Sequence, residues 1–161
     1  MLEIFYPKQN NTVKIDVEDF GVWSDRTWSI TKGRNTLYLI TTKSRVFDKS
    51  RKRLYLHRAI SGATSGVIVD HKNGDGFDNR KENLRFCNYS QSNANRKKHS
   101  LTCKSKFKGV GWRKDRSNWQ AIIKVDGHER RVSGFATEEE AARAYDSMAR
   151  KYFGEFACVN F

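Results

Sequence analysis

The stretch TEEEAARAYDSMARKYFGE restricts this chain more than any other. Thr137 and Glu140 have the T-x-x-E spacing of a capping box, in which each side chain satisfies the other residue's orphan N–H. Glu138 to Glu140 suit the positive end of a helix dipole, and Arg150 and Lys151 suit the negative end. Gly154 is a natural stop. Ala141, Ala144, Tyr145, Met148, Ala149 and Tyr152 recur at three- and four-residue steps, so one helix face is apolar and must be covered. The cover lies just upstream. FKGVGWR, WQAIIKV and HERRVSGF read as strands, and Asp126-Gly127 between the last two is a two-residue hairpin turn. In WQAIIKV, Trp119, Ala121, Ile123 and Val125 form one face and Gln120, Ile122 and Lys124 the other. A three-stranded antiparallel sheet packed on one helix is predicted, with Arg113, Lys124 and Arg131 on its uncovered face.

That cationic face agrees with the charge balance. Lys and Arg number 31 against 18 acids, a net charge of +13, which favours polyanionic partners. Between Arg96 and Arg131 twelve cations stand against three acids, with Phe107, Trp112 and Trp119 interleaved, the composition of a nucleic-acid face. An apolar content of 37% favours two small cores over one large one. No run of 18 apolar residues suggests a membrane span, and the N-terminus lacks a secretory pattern, so a cytoplasmic protein is expected. Three separated cysteines without a CxxC pair argue against a zinc ribbon or a disulfide framework. Without a heptad or an evident dimer face, the expectation is a monomer.

The fold class expected is α+β, in two small modules. Residues 1–50 read as a strand-rich N-terminal segment, with TVKIDVEDFGVW and WSITKGRNTLYLITT as ragged alternating runs. Residues 51–98 hold LYLHRAI (strand into short helix), the strand GVIVDH, the turn-rich NGDGFDN, the strand NLRFC, and the helix SQSNANRKK with Ser90 as its N-cap. Residues 99–106 read as a basic linker, and 107–161 as the sheet-and-helix module.

The middle module carries the chemistry. In VDHKNGDGFDNRKENL a strand ends on Asp70-His71, an acid beside an imidazole. Histidine is the usual base near neutral pH. A hard dication prefers carboxylate and amide oxygens. Asp70 supplies one such oxygen, and Asn93 and Asn95 on the following helix can supply a second. The calcium-loop reading of NGDG fails because no Glu closes it.

Two family resemblances sharpen this. FKGVGWRKDRSNWQAIIKV with VSGFATEEEAARAYDSMARKYFGEFACVNF resembles the plant ethylene-response-factor (APETALA-type) DNA-binding domain, over about 105–161. The resemblance implies contacts to double-stranded DNA from Lys108, Trp112, Arg113, Lys124 and Arg131. Gly111 and Ile122 stand where the plant domains usually have Arg and Glu, so plant-type base preference does not carry over.

LHR, VDH, NGDGFDN, NLR and SQSNANRKK, from about 55 to 98, are similar to the HNH endonucleases of phage and intron-encoded homing elements. That resemblance implies a ββα-metal core. His71 would be the general base, Asp70 a metal ligand and Asn83 a brace for the His71 loop. His57 and Arg58 would support the site or touch phosphate. Magnesium is the implied metal, with manganese an alternative, and no organic cofactor is expected. The family's second metal ligand lies nine residues after the bracing Asn, which here is Ser92. Asn93 is next door and is taken as the ligand, with Asn95 beyond it. The function expected is a metal-dependent endonuclease cutting double-stranded DNA at preferred sites, in the host cell of a phage or mobile element. The alternatives are a catalytically impaired DNA-binding regulator and, more weakly, an RNA-binding protein.

Overall fold

The computed structural model describes residues 1–6, 10–33, 36–41, 53–98 and 104–161. The chain is α+β and divides into two compact units, Met1–Asn88 and Tyr89–Phe161. Most of the expected linker, 99–103, lies outside the described residues.

In the first unit, β1 (Leu2–Tyr6) pairs antiparallel with β2 (Asn11–Ile15). The strand expected to run through VEDFGVW stops at Ile15. A 3-10 turn over Val17–Asp19 and the short helix α1 (Phe20–Ser24) follow. A period of two fits this run, and so does a helical one. Val22 and Trp23 pack against the core, with Trp23 stacked on Trp28 at 6.2 Å, while Val17 and Phe20 are exposed. β3 (Ser29–Lys32), β4 (Leu37–Thr41) and β5 (Leu54–Tyr55) form a second sheet in that order. α2 (Leu56–Ser61) continues directly from β5. Val13, Ile15, Trp28, Leu39, Leu56, Ile60 and Phe77 make the core of this unit.

β6 (Ile68–His71) and β7 (Leu84–Cys87) form a separate antiparallel pair, with Asp70 opposite Arg85 and His71 opposite Leu84. The loop between them docks on β2. The Lys14 N–H donates to the Phe77 carbonyl at 2.9 Å, and the Asn79 N–H donates to the Lys14 carbonyl at 2.8 Å. Gly76 permits a second contact, because a Cβ there would lie 2.1 Å from the Leu37 carbonyl oxygen.

The second unit begins with α3 (Tyr89–Ala94). Ser90 lies inside this helix rather than capping it, and the helix ends before NRKK. β8 (Val110–Arg113), β9 (Asn118–Val125) and β10 (His128–Phe135) form the predicted sheet, with β9 central. Asp126 and Gly127 both have positive φ, 49° and 83°, as the two-residue turn requires. α4 (Glu138–Phe153) has the full capping box and covers Ala121 and Ile123 with Tyr145 and Ala149. Buried Asp146 accepts from the backbone N–H groups of Asn160 and Phe161, at 2.8 and 2.9 Å. The Asn160 amide in turn bonds both backbone groups of Lys108, so the final residues lock the helix to the start of the sheet.

Candidate active site

Residues on β6 alternate between its two sides, so Asp70 and His71 serve different surroundings. His71, the last residue of the strand, is only 4% exposed. Its Nε2 lies 3.3 Å from Asn79 Oδ1. Asn79 is itself fully buried, and its Nδ2 donates to the Gly76 carbonyl at 3.3 Å. That donation fixes the amide so that its oxygen faces the ring. An oxygen there calls for a proton on Nε2, which leaves the basic lone pair on Nδ1. Burial lowers the His71 pKa, partly offset by the Asn79 bond and the nearby carboxylates Asp70, Asp75 and Asp78. The ring is therefore uncharged at neutral pH.

His57, on α2, meets His71 edge to face with ring centroids 5.0 Å apart. Burial, with His71 and the Arg58 cation nearby, pushes its pKa down to about 3. Tyr38 packs against both imidazoles, at 5.4 and 5.8 Å, and Tyr55 against His57 at 5.3 Å. The pocket thus keeps both histidines neutral and holds their planes.

Asn83, expected as a brace, is hydrogen-bonded to the loop that follows His71. Its Nδ2 donates to the Asp78 carbonyl at 2.7 Å and to Asn73 Oδ1 at 3.1 Å. Its Oδ1 accepts from the Asn73 N–H at 3.1 Å, and its carbonyl accepts from the Lys72 N–H at 2.9 Å. Asn73 passes the restraint on, accepting from the Asp75 N–H and donating to Asp78. The Arg80 guanidinium bonds both oxygens of Asp78 at 2.7 Å, holding that carboxyl below its usual range. Asn83 and Asp78 thus meet at Asn73, near the start of the loop after His71.

Asp70 is engaged by Arg85, whose Nε and Nη2 both donate to Oδ2, at 3.2 and 3.1 Å. Arg58 does not point outward. It donates to the carbonyls of Val67 at 2.5 Å, Thr64 at 2.6 Å and Ala63 at 3.3 Å, pinning the connection from α2 to β6. Asn93 and Asn95 lie in the second unit, Asn93 exposed near the end of α3 and Asn95 just beyond it. Among the described residues, no three His, Cys, Asp or Glu side chains converge as metal ligands. The Asp70 carboxylate has the right chemistry for a hard dication, and a guanidinium shares it.

Sequence reasoning missed Asn79, Tyr38 and Arg85. Arg85 was within reach, because pairing GVIVDH with NLRFC as a hairpin sets Asp70 opposite it. Asn79 and Tyr38 meet His71 only through the path of the loop and of β4, which no local pattern reports.

The second unit holds the remaining candidates. The register puts Arg113, Lys124 and Arg131 on one face of the sheet, with Gly111, Gln120 and Ile122. Lys124 is exposed, while Arg113 bonds Asp115 and Arg131 bonds Glu129 on the same strand or turn. Trp112 does not share this face. It pairs with Trp119, ring edge to face at 5.1 Å, on the side of Val110 and α4. Lys108 is half-buried, its Nζ donating to the Ala94 carbonyl at 2.5 Å and lying 5.9 Å from the Tyr145 ring centre. A cavity of about 500 Å³ opens beside it, lined by Asn93, Lys108, Ile122, Lys124 and Tyr145.

Among known proteins, the chain is similar to an uncharacterized HNH endonuclease of Acanthamoeba polyphaga mimivirus, at 32% identity over 115 residues. The alignment takes in 67% of this chain and 58% of that protein, so the chain spans under two thirds of the relative's length. No family model matches the chain. No solved structure matches it.

Proposed function

We propose that this protein is a nuclease of the HNH type that hydrolyses phosphodiester bonds in double-stranded DNA. The observation that carries the reading is a neutral histidine at a strand end, with Nε2 satisfied by Asn79 and its loop braced by Asn83. A base at neutral pH needs this: an unprotonated nitrogen, a fixed ring and a local field that favours the imidazolium once formed. Asp70, Asp75 and Asp78 supply that field. The similarity to a protein named as an HNH endonuclease supports the same reading.

In this mechanism His71 Nδ1 takes a proton from water. The resulting hydroxide attacks phosphorus in line with the departing 3′ oxygen, and the P–O bond to that oxygen breaks. His57 packs against His71 and limits its rotation without competing for the proton. A divalent cation, magnesium or manganese, would bind through Asp70 and contribute neutralisation of phosphate charge. The second unit serves as the DNA anchor of the ethylene-response-factor type, with Arg113, Lys124 and Arg131 on the face presented to the duplex. Such contacts set affinity and register.

The test is nicking of supercoiled plasmid with and without magnesium or manganese, wild type beside His71→Ala. Metal-dependent nicking that disappears in the variant is expected. Nicking retained by His71→Ala removes His71 as the base. A second reading, a DNA-binding protein that does not cut, is favoured by one observation: Arg85 occupies the Asp70 carboxylate. Tight DNA binding with no nicking under either metal would select it.

A further inference from the structure

We propose that Gln120 reads adenine in the major groove, with Ile122 beside it against a thymine methyl, so that the second unit prefers A·T at one position of its site. The inference rests on the reading of this unit as a DNA anchor and adds a base to it. Gln120 and Ile122 lie on the central strand, β9, on the face turned away from α4. Gly111 and Ser133 stand beside Gln120, and Arg131 stands beside Ile122. Arg113 belongs to one outer strand and Arg131 to the other. The outer strands of such a sheet are about 10 Å apart, and the major groove is about 12 Å wide. Cations at that spacing meet the phosphates of the two walls, and the neutral residues between them meet base edges.

Gln120 has hydrogen-bonding capacity that the fold does not use. It is 9% exposed, and its Oε1 is shielded from water without a hydrogen-bond partner. Among the described residues, three buried side-chain polar atoms are in that state. Two of them, Asn118 Oδ1 and Gln120 Oε1, belong to this face of β9. An acceptor left so costs stability, and an apolar side chain of the same shape would serve the sheet better. A Cβ on Gly111 would lie 3.6 Å from Gln120 Nε2 and 3.4 Å from Ile122 Cδ1, so the two side chains meet over the glycine. The last torsion of a glutamine is soft, and Oε1 has no donor to lose by turning toward a base. The base must then both donate and accept. In the major groove adenine alone does so, through N6–H and N7; guanine and thymine offer acceptors there, and cytosine a donor. The apolar group of the same base pair is the thymine methyl, and Ile122 is the apolar side chain next to the amide.

The experiment is selection of bound duplexes from a randomised library by the full chain in EDTA, with the bound fraction sequenced. Wild type is compared with Gln120→Met, Gln120→Glu, Ile122→Ala and the triple variant Arg113→Ala/Lys124→Ala/Arg131→Ala. Wild type should enrich adenine at one position about tenfold, the discrimination of one bidentate contact. Gln120→Met should lose that enrichment, keep its affinity for the unselected library within about threefold, and melt no lower than wild type. Gln120→Glu, which only accepts, should move the preference at that position to cytosine. Ile122→Ala should reduce the enrichment of thymine. Adenine enrichment unchanged in Gln120→Met overturns the proposal, and so does a melting temperature well below wild type, which would make Gln120 a structural residue. Wild-type binding without base preference also overturns it and leaves the anchor in place, provided that the triple variant binds more weakly. Absence of wild-type binding, or equal binding by the triple variant, overturns the anchor reading and this proposal with it.

Discussion

Replacing Asn83 with Ala should open the loop after His71 and spare the second unit. Asn83 is 6% exposed and makes three side-chain hydrogen bonds at 2.7 to 3.1 Å. Each contributes about 1 kcal/mol net, and the buried Asp78 carbonyl left without its donor adds about 1–3 kcal/mol. Partial access of water to Asn73 returns some of this, so the expected loss is about 3 kcal/mol. Hydrogen exchange read by mass spectrometry measures it locally. Amides of residues 72–84 should exchange about 150-fold faster, the factor that corresponds to 3 kcal/mol. Peptides from α4 serve as the internal control and should not change. Asn83→Asp should behave like Ala, because it keeps the acceptor for the Asn73 N–H but loses both donations and sets a second carboxylate beside Asp78. An acceleration under about fivefold in Asn83→Ala would refute the reasoning, since it would put the whole network below the value of one hydrogen bond.

Two further outcomes follow from the charges. His57 has a folded pKa of about 3 against an ordinary 6.5, so the unfolded chain takes up a proton first as pH falls. The stability from burying a neutral His57 is complete above pH 6.5 and is lost progressively from there down toward 3, by about 2 kcal/mol at pH 5. The urea midpoint of the first unit should fall accordingly, and His57→Phe should lose about 2 kcal/mol less between pH 7.5 and 5; parallel profiles would remove His57 as the cause. On the sheet, Lys124→Ala should reduce the salt dependence of DNA binding by about one phosphate's share, and adding Arg113→Ala and Arg131→Ala should reduce it by about two more at most. An unchanged slope in the triple variant would place the DNA elsewhere.

Local sequence determined whatever depends on neighbours a few residues apart. The α4 capping box, the stripe of Ala141, Tyr145 and Ala149, and the Asp126-Gly127 turn each follow from spacing alone, and all are present. The same holds for the strand that stops at His71 and the turn-rich loop behind it. Local pattern misled where two periods fit one short run. VEDFGVW became a 3-10 turn and a helix, and the SQSNANRKK helix proved shorter, with Ser90 inside it. Tertiary structure decided what each polar side chain bonds. Arg58 turned inward because three carbonyls of the α2–β6 connection lie within its reach. Trp112 went to the helix side because strand alternation ties it to Trp119. His71 owes its tautomer to Asn79, and its neutrality above all to burial. Burial depends on the whole chain around a residue, whereas a motif names only the residue, and for that reason Asp70-His71 could be found in the sequence while its protonation could not.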